Sequence, residues 1–128
     1  MRWHAASRRD HKSRRRTSGV AEPGRLAFLS GQIAGKPGSE DVPDELVGQA
    51  KLATASLAAA LKELEASAQD IVMLRVYVVN ATTEAFQQVL PALRELLGDA
   101  MPSITTIGVQ ALYTPEIQVE IEMVVRLP

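Results

Sequence analysis

The chain has 128 residues and a mass of 13.8 kDa, the usual size of one domain. Hydrophobic residues make up 46% and charged residues 23%, a balance that excludes global disorder. Cysteine is absent, which excludes disulfides, thiolate metal sites and a cysteine nucleophile. His4 and His11 are the two histidines, and both precede the body of the chain, so a histidine triad or histidine zinc site there is excluded as well. No apolar run reaches the length of a membrane span.

The net charge of −1 hides an asymmetry. Residues 1–16 carry seven basic side chains and the single acid Asp10, a balance of +6, which leaves −7 on the remainder. The chain therefore divides into a basic arm, 1–16, and an acidic domain, 17–128. The arm has three readings: a flexible, solvated terminus, a nucleic-acid contact with Trp3 as its one stacking ring, and a targeting segment. The solvated terminus is the ordinary outcome for a chain end, and nucleic acid is not the expected partner of an acidic body. Despite Arg8-Arg9, the arm lacks the apolar stretch of a secretory signal. The absence of such a signal and of cysteine suits a cytoplasmic protein. Asn80-Ala81-Thr82 matches a glycosylation sequon, without meaning unless the chain is secreted.

Thr17–Val20 is weakly β-like, and Ala21-Glu22-Pro23-Gly24 is a turn. Leu26–Ser30 reads as a buried strand, so the two strands suggest a hairpin. Ala34–Val42 is a loop rich in Gly and Pro. A long helix follows over Pro43 to about Ser67, with Asp41 near its N-cap. Leu46, Ala50, Ala53, Leu57, Ala60, Leu61 and Leu64 form one apolar face of it.

Ile71–Val79 is a central strand. Val72, Leu74, Val76 and Val78 face one way, and Ile71, Met73, Arg75, Tyr77 and Val79 the other. Thr82 or Thr83 caps a second helix to about Leu97, in which Pro91 predicts a kink or a split. Ile104–Leu112 and Ile117–Arg126 are two further strands joined through Tyr113-Thr114-Pro115. In the last, Ile117, Val119, Ile121, Met123 and Val125 share a face. The expected fold is α+β, in the order β-β-α-β-α-β-β, with two helices packed on one face of a mixed sheet. The other face then carries Met73, Tyr77, Ile107 or Thr106, and Glu120, and a half-apolar face left uncovered calls for a partner surface, of which a second copy is the simplest.

Several of these residues together resemble the RidA family, also called YjgF/YER057c/UK-type reactive-intermediate deaminases and formerly L-PSP endoribonucleases. The matches are Leu29-Ser30-Gly31-Gln32-Ile33, Gln49 in the long helix, Asp70-Ile71-Val72 leading into Val76-Tyr77-Val78, Pro102 before a strand, and Val119-Glu120-Ile121-Glu122. The resemblance covers about residues 26–126. It implies a chorismate-mutase-like fold and a homotrimer with small-molecule clefts between subunits. The implied chemistry is hydrolysis of enamines and imines of 2-oxo acids to the oxo acid and ammonia, without metal or organic cofactor.

Carried over by position, Ser30 and Gly31 match the backbone motif of the cleft, and Glu120 matches the glutamate that positions the attacking water. The family's carboxylate-binding arginine, two residues after the proline, does not match: Ile104 stands there, followed by Thr105 and Thr106. A lost arginine–carboxylate clamp typically costs a few kcal/mol, roughly a hundredfold in affinity. Arg75 could replace it from the neighbouring strand, or it pairs structurally with Glu120 or Glu122. Glu120 and Glu122 share a strand face, and Glu120 is the one assigned to the cleft. The threonines read either as ligand hydrogen-bonders or as good strand formers. Ser30 has no nearby base in the sequence to make it a nucleophile. Three functions stay open: an imine or enamine hydrolase of altered substrate choice, a non-catalytic metabolite-binding trimer, and a protein- or RNA-contacting module acting through the arm.

Overall fold

Residues 18–36 and 40–127 are described by the computed structural model. The arm at 1–16 and Thr17 lie outside them. Four strands and two long helices are present: β1 (Arg25–Gln32), α1 (Leu46–Glu63), β2 (Ile71–Val79), α2 (Thr83–Leu97), β3 (Ser103–Val109) and β4 (Val119–Leu127), with a 3-10 turn at Ala68–Asp70. They form one sheet in the order β1-β4-β2-β3, in which β2 and β3 are parallel and the β1–β4 and β2–β4 pairs antiparallel.

Topology places both helices on one face. β1 and β2 both run antiparallel to β4 and hence parallel to each other, so β1-α1-β2 and β2-α2-β3 are successive crossovers stepping the same way across the sheet. Right-handed crossovers in one direction put their helices on the same side. The core lies between. Leu57 from α1, Ile71, Leu74, Val76 and Val78 from β2, and Val119, Ile121, Met123 and Val125 from β4 are all buried, joined by Val89, Ala92 and Leu93 from α2. Burying such aliphatic side chains contributes roughly 1.5–3 kcal/mol each.

The expected fold class holds, and several details differ from the reading of the sequence. The segment before β1 is not a strand: Val20 makes only an isolated bridge, so no described hairpin precedes β1. That segment is instead held by Arg126, whose Nε donates to the carbonyls of Glu22 and Pro23 at 3.0 and 3.1 Å. Asp41 does not cap α1. Glu45 is the N-cap residue and makes no side-chain cap bond, while the lead-in carbonyls accept from side chains elsewhere. Gln49 Nε2 donates to Pro43 O and Gln118 Nε2 to Asp44 O, which keeps both residues outside the helix.

α2 runs unbroken across Pro91. Pro91 and Gln87, the residue whose carbonyl loses its helical donor, are both exposed, so water can supply the missing hydrogen bond. Between Thr82 and Thr83, the cap is Thr82, whose side chain accepts from Ala85 N at 3.1 Å. At the far end Gly98 turns the chain with φ 53°, a conformation that a residue with a side chain adopts only under strain. β3 is shorter than expected and leaves Gln110–Leu112 in the following loop.

β2 also departs from strict alternation. Ile71 pairs with Val125 and Met73 with Val124, so Val72 is an inserted residue. This bulge turns Ile71 into the core beside Leu74, rather than onto the open face with Met73.

Candidate functional site on the open sheet face

The face of the sheet away from the helices has an apolar half and a polar half. At the apolar end, Phe28 is 76% exposed and Leu26 is 49% exposed, next to Val124 and Arg126, their partners on β4. The polar half begins where β1 bulges. Leu29 pairs with Met123 and Gln32 with Ile121, so Ser30 and Gly31 together oppose the single residue Glu122. A bulge of this kind bends the strand and re-aims its groups. The Gln32 side chain stays close by, donating to Ser30 O at 2.9 Å.

Glu120 fills the space that Gly31 leaves open. A Cβ on Gly31 would lie 2.6 Å from Glu120 Cδ and 2.7 Å from its Cγ and Oε1, closer than non-bonded carbon atoms approach. The half-buried Glu120 carboxylate has no hydrogen-bond or ion-pair partner among the described residues. Glu122 is in the opposite situation. Its Oε1 lies 3.3 Å from Arg75 Nη1 and accepts a hydrogen bond from the Tyr77 hydroxyl at 2.5 Å. Register makes this possible: Arg75 pairs with Glu122, and Tyr77 with Glu120 one step along the ladder. The Glu122 carboxylate, by accepting the phenol's hydrogen bond and by its negative charge, raises the Tyr77 pKa above 10.0. Desolvation adds to this, and Arg75 opposes it.

The sequence-assigned residues therefore divide by face. Ser30, Gly31, Glu120, Arg75 and Thr105 share the open face, Thr105 pairing with Arg75 on β3. Ile104 and Thr106 pair with Leu74 and Val76 and face the helix side. They are nevertheless exposed, Ile104 by 42%, because β3 is an edge strand and the helices leave it uncovered. Of the two candidates for the open face, Ile107 is the one that lies there, opposite Tyr77. Arg75 takes the structural pairing with Glu122, and within one subunit the pleat sets it on the opposite face from Ile104.

Two contributors were not assigned roles from the sequence. Tyr77 was placed on this face without a partner, since a diagonal contact across strands depends on register. Gln49 is fully buried in α1 and satisfied on both sides of its amide. Its Nε2 donates to Pro43 O at 2.8 Å and Glu116 O at 2.7 Å, and its Oε1 accepts from Gln118 N at 2.8 Å. It joins α1, the segment before it and the approach to β4, two residues ahead of Glu120. The signal was an amide one position from Ala50 in the apolar face of α1.

No group of His, Asp and Glu among the described residues is arranged to hold a metal ion, and no described helix is long and apolar enough to cross a membrane. A groove of 640 Å³ runs between α1 and α2, lined in part by Ala58, Leu61, Lys62, Ala92, Glu95 and Leu96. None of the residues above lines it.

The family model described as Endoribonuclease L-PSP matches residues 11–127. The chain belongs to this family. Solved structures place it in the same fold. A Rid-family protein of unknown function, YyfB from Yersinia pestis, is 27% identical with a TM-score of 0.85, the match covering 99% of this chain and 100% of that one. Rv2704 from Mycobacterium tuberculosis, of the YjgF/YER057c/UK114 family, is 24% identical with a TM-score of 0.68 and coverage of 83% and 82%. TdcF of E. coli, solved with bound serine, is 22% identical with a TM-score of 0.69 and coverage of 84% and 85%. No curated protein matches the chain. As a family member the chain has the expected two helices packed on a mixed four-stranded sheet.

Proposed function

We propose that this protein is an imine or enamine hydrolase of the RidA type, acting as a cytoplasmic homotrimer with small-molecule clefts between subunits. The observation that carries this reading is the half-buried Glu120 carboxylate, without a partner among the described residues and set against the Ser30–Gly31 bulge. A carboxylate in that situation can hold a water and accept its proton. Water oxygen attacks the imine carbon and the C–O bond forms as one water proton passes to Glu120, which returns it to the nitrogen to give the amino alcohol. Glu120 then takes the hydroxyl proton and delivers it to the amine, and the C–N bond breaks to release ammonia and the oxo compound. The chemistry requires a positioned water and a carboxylate that accepts each proton and hands it on to nitrogen.

Substrate choice is altered by Ile104. The exposed helix-side row of β3, Ile104, Thr106 and Gly108, carries no charge, so it offers nothing to clamp a carboxylate. The bound serine of TdcF indicates the size of ligand that this fold accommodates.

The test is a coupled assay in which a threonine dehydratase generates 2-iminobutanoate and its decay is followed. Acceleration above buffer that is lost in Glu120→Gln supports hydrolysis. No acceleration with this or an uncharged imine rejects it and favours the second reading, a non-catalytic metabolite-binding trimer, for which the uncharged β3 row is the supporting observation. A third reading, an RNA contact through residues 1–16, is tested by a salt titration of RNA binding with and without the arm. Equal binding by both forms, or none by either, removes it.

A further inference from the structure

β4 presents two carboxylates, Glu120 and Glu122, on one face of the sheet, and their surroundings are unequal. Glu122 is directly opposite Arg75 in the ladder and lies within 3.3 Å of its guanidinium. It also takes the hydrogen bond of the Tyr77 hydroxyl on the same oxygen, Oε1. Glu120 is directly opposite Tyr77, yet the phenol reaches past it to Glu122. We propose that Arg75 and Tyr77 are positioning residues that hold Glu122 and so determine which of the two neighbouring carboxylates is available to a ligand, namely Glu120.

The charged and titratable groups facing Glu120 make this pairing decisive. β4 itself contributes Glu122, and β2 contributes Arg75 and Tyr77. The β1 bulge contributes none, and β3 has no charged residue along its length. Arg25 lies at the far end of β1, opposite Leu127, and Arg126, on the same strand as Glu120, is engaged with the carbonyls of Glu22 and Pro23. α1 and α2 pack on the other face. Among the described residues Arg75 is thus the cation that balances Glu122, and without it two carboxylates uncompensated by any described cation would stand two residues apart on one face. Each would then oppose the charge of the other.

This inference rests on Glu120 being the working carboxylate, but its first test does not need turnover. The full-length protein is treated briefly with a water-soluble carbodiimide and glycinamide, and modification at each carboxylate is followed by mass spectrometry. Glu120 is expected to react and Glu122 to be protected. In the double variant Arg75→Met/Tyr77→Phe, Glu122 reacts about fivefold faster, the scale of a released half-exposed pair, whereas Arg75→Lys stays near the parent protein. Equal reaction of both carboxylates in the parent, or continued protection of Glu122 in the double variant, overturns the proposal. The second test is the pH–rate profile of imine consumption. With Arg75→Met the acid limb moves to higher pH, a change that a merely structural role for Arg75 would not cause. An unmoved limb in an active variant counts against the proposal. Absence of turnover in the parent defeats the hydrolase reading alone and leaves the labelling result to decide between the two carboxylates.

Discussion

Gly31 and Glu120 occupy one space between them: the hydrogen of the glycine is what allows the glutamate side chain to lie across β1. The bulge brings Gly31 to the open face, and the ladder brings Glu120 beside it. Gly31→Ala is therefore expected to push the Glu120 carboxylate aside while leaving the core untouched. A misplacement of about 1 Å can lower turnover by roughly a hundredfold. The expected result is a large loss of imine hydrolysis with Tm changed by only a few degrees. Full activity in a folded Gly31→Ala protein would show that Glu120 need not lie there.

Ile104→Arg tests what the missing clamp does. The side chain is 42% exposed on an edge strand, so the longer cation can reach solvent, and stability should change by no more than about 0.5 kcal/mol. Turnover of 2-iminobutanoate is expected to rise, mainly through a lower KM, by up to about a hundredfold if a bidentate carboxylate contact forms. A folded variant with unchanged kinetics would mean that the carboxylate is not presented to this strand.

Gln49 tests the staple. Gln49→Leu keeps the volume and leaves Pro43 O, Glu116 O and Gln118 N without the partners they have now. A loss of about 2–4 kcal/mol is expected, which for a chain of this size lowers Tm by about 10 °C or more. Thermal unfolding followed by circular dichroism at fixed protein concentration measures it. Gln49→Glu should also destabilise the protein, because a carboxylate cannot donate to the two carbonyls.

Phe28 tests the assembly. At 76% exposure it is the most exposed large hydrophobic residue of the open face, and it adds little to the core of its own subunit. If copies meet on this face, Phe28→Glu yields a monomer mass by light scattering at micromolar concentration while retaining the helical spectrum. A trimer that survives the substitution would place the contact elsewhere.

Tyr77 gives a pH signature. Its folded pKa is raised above the unfolded value of 10.0, mainly by the Glu122 carboxylate accepting its hydrogen bond. A raised pKa contributes stability that is fully present below the unfolded value and is lost as pH rises through the folded one. The difference in Tm between the parent and Tyr77→Phe should therefore be constant from pH 6 to about 9 and shrink only at higher pH. A difference that varies near neutrality would assign the interaction to another group.

Side-chain chemistry and period were enough to read the fold class, the apolar face of α1 and the buried row of β4 at Val119, Ile121, Met123 and Val125, because these depend on residues close together in the chain. The same local patterning placed Glu120 and Glu122 on one face and left the face opposite the helices uncovered. What tertiary structure alone decided was register. A bulge at Val72 moved Ile71 into the core, and a bulge at Ser30–Gly31 set that pair against Glu122. Cross-strand neighbours chose Glu122 over Glu120 for Arg75, drew Tyr77 to the same oxygen, and put Ile104 on the opposite face from Arg75. The physical reason is that a strand's pattern specifies two faces, while the partner of each side chain is set by alignment with residues some 45 positions away, where one inserted residue reverses every assignment beyond it.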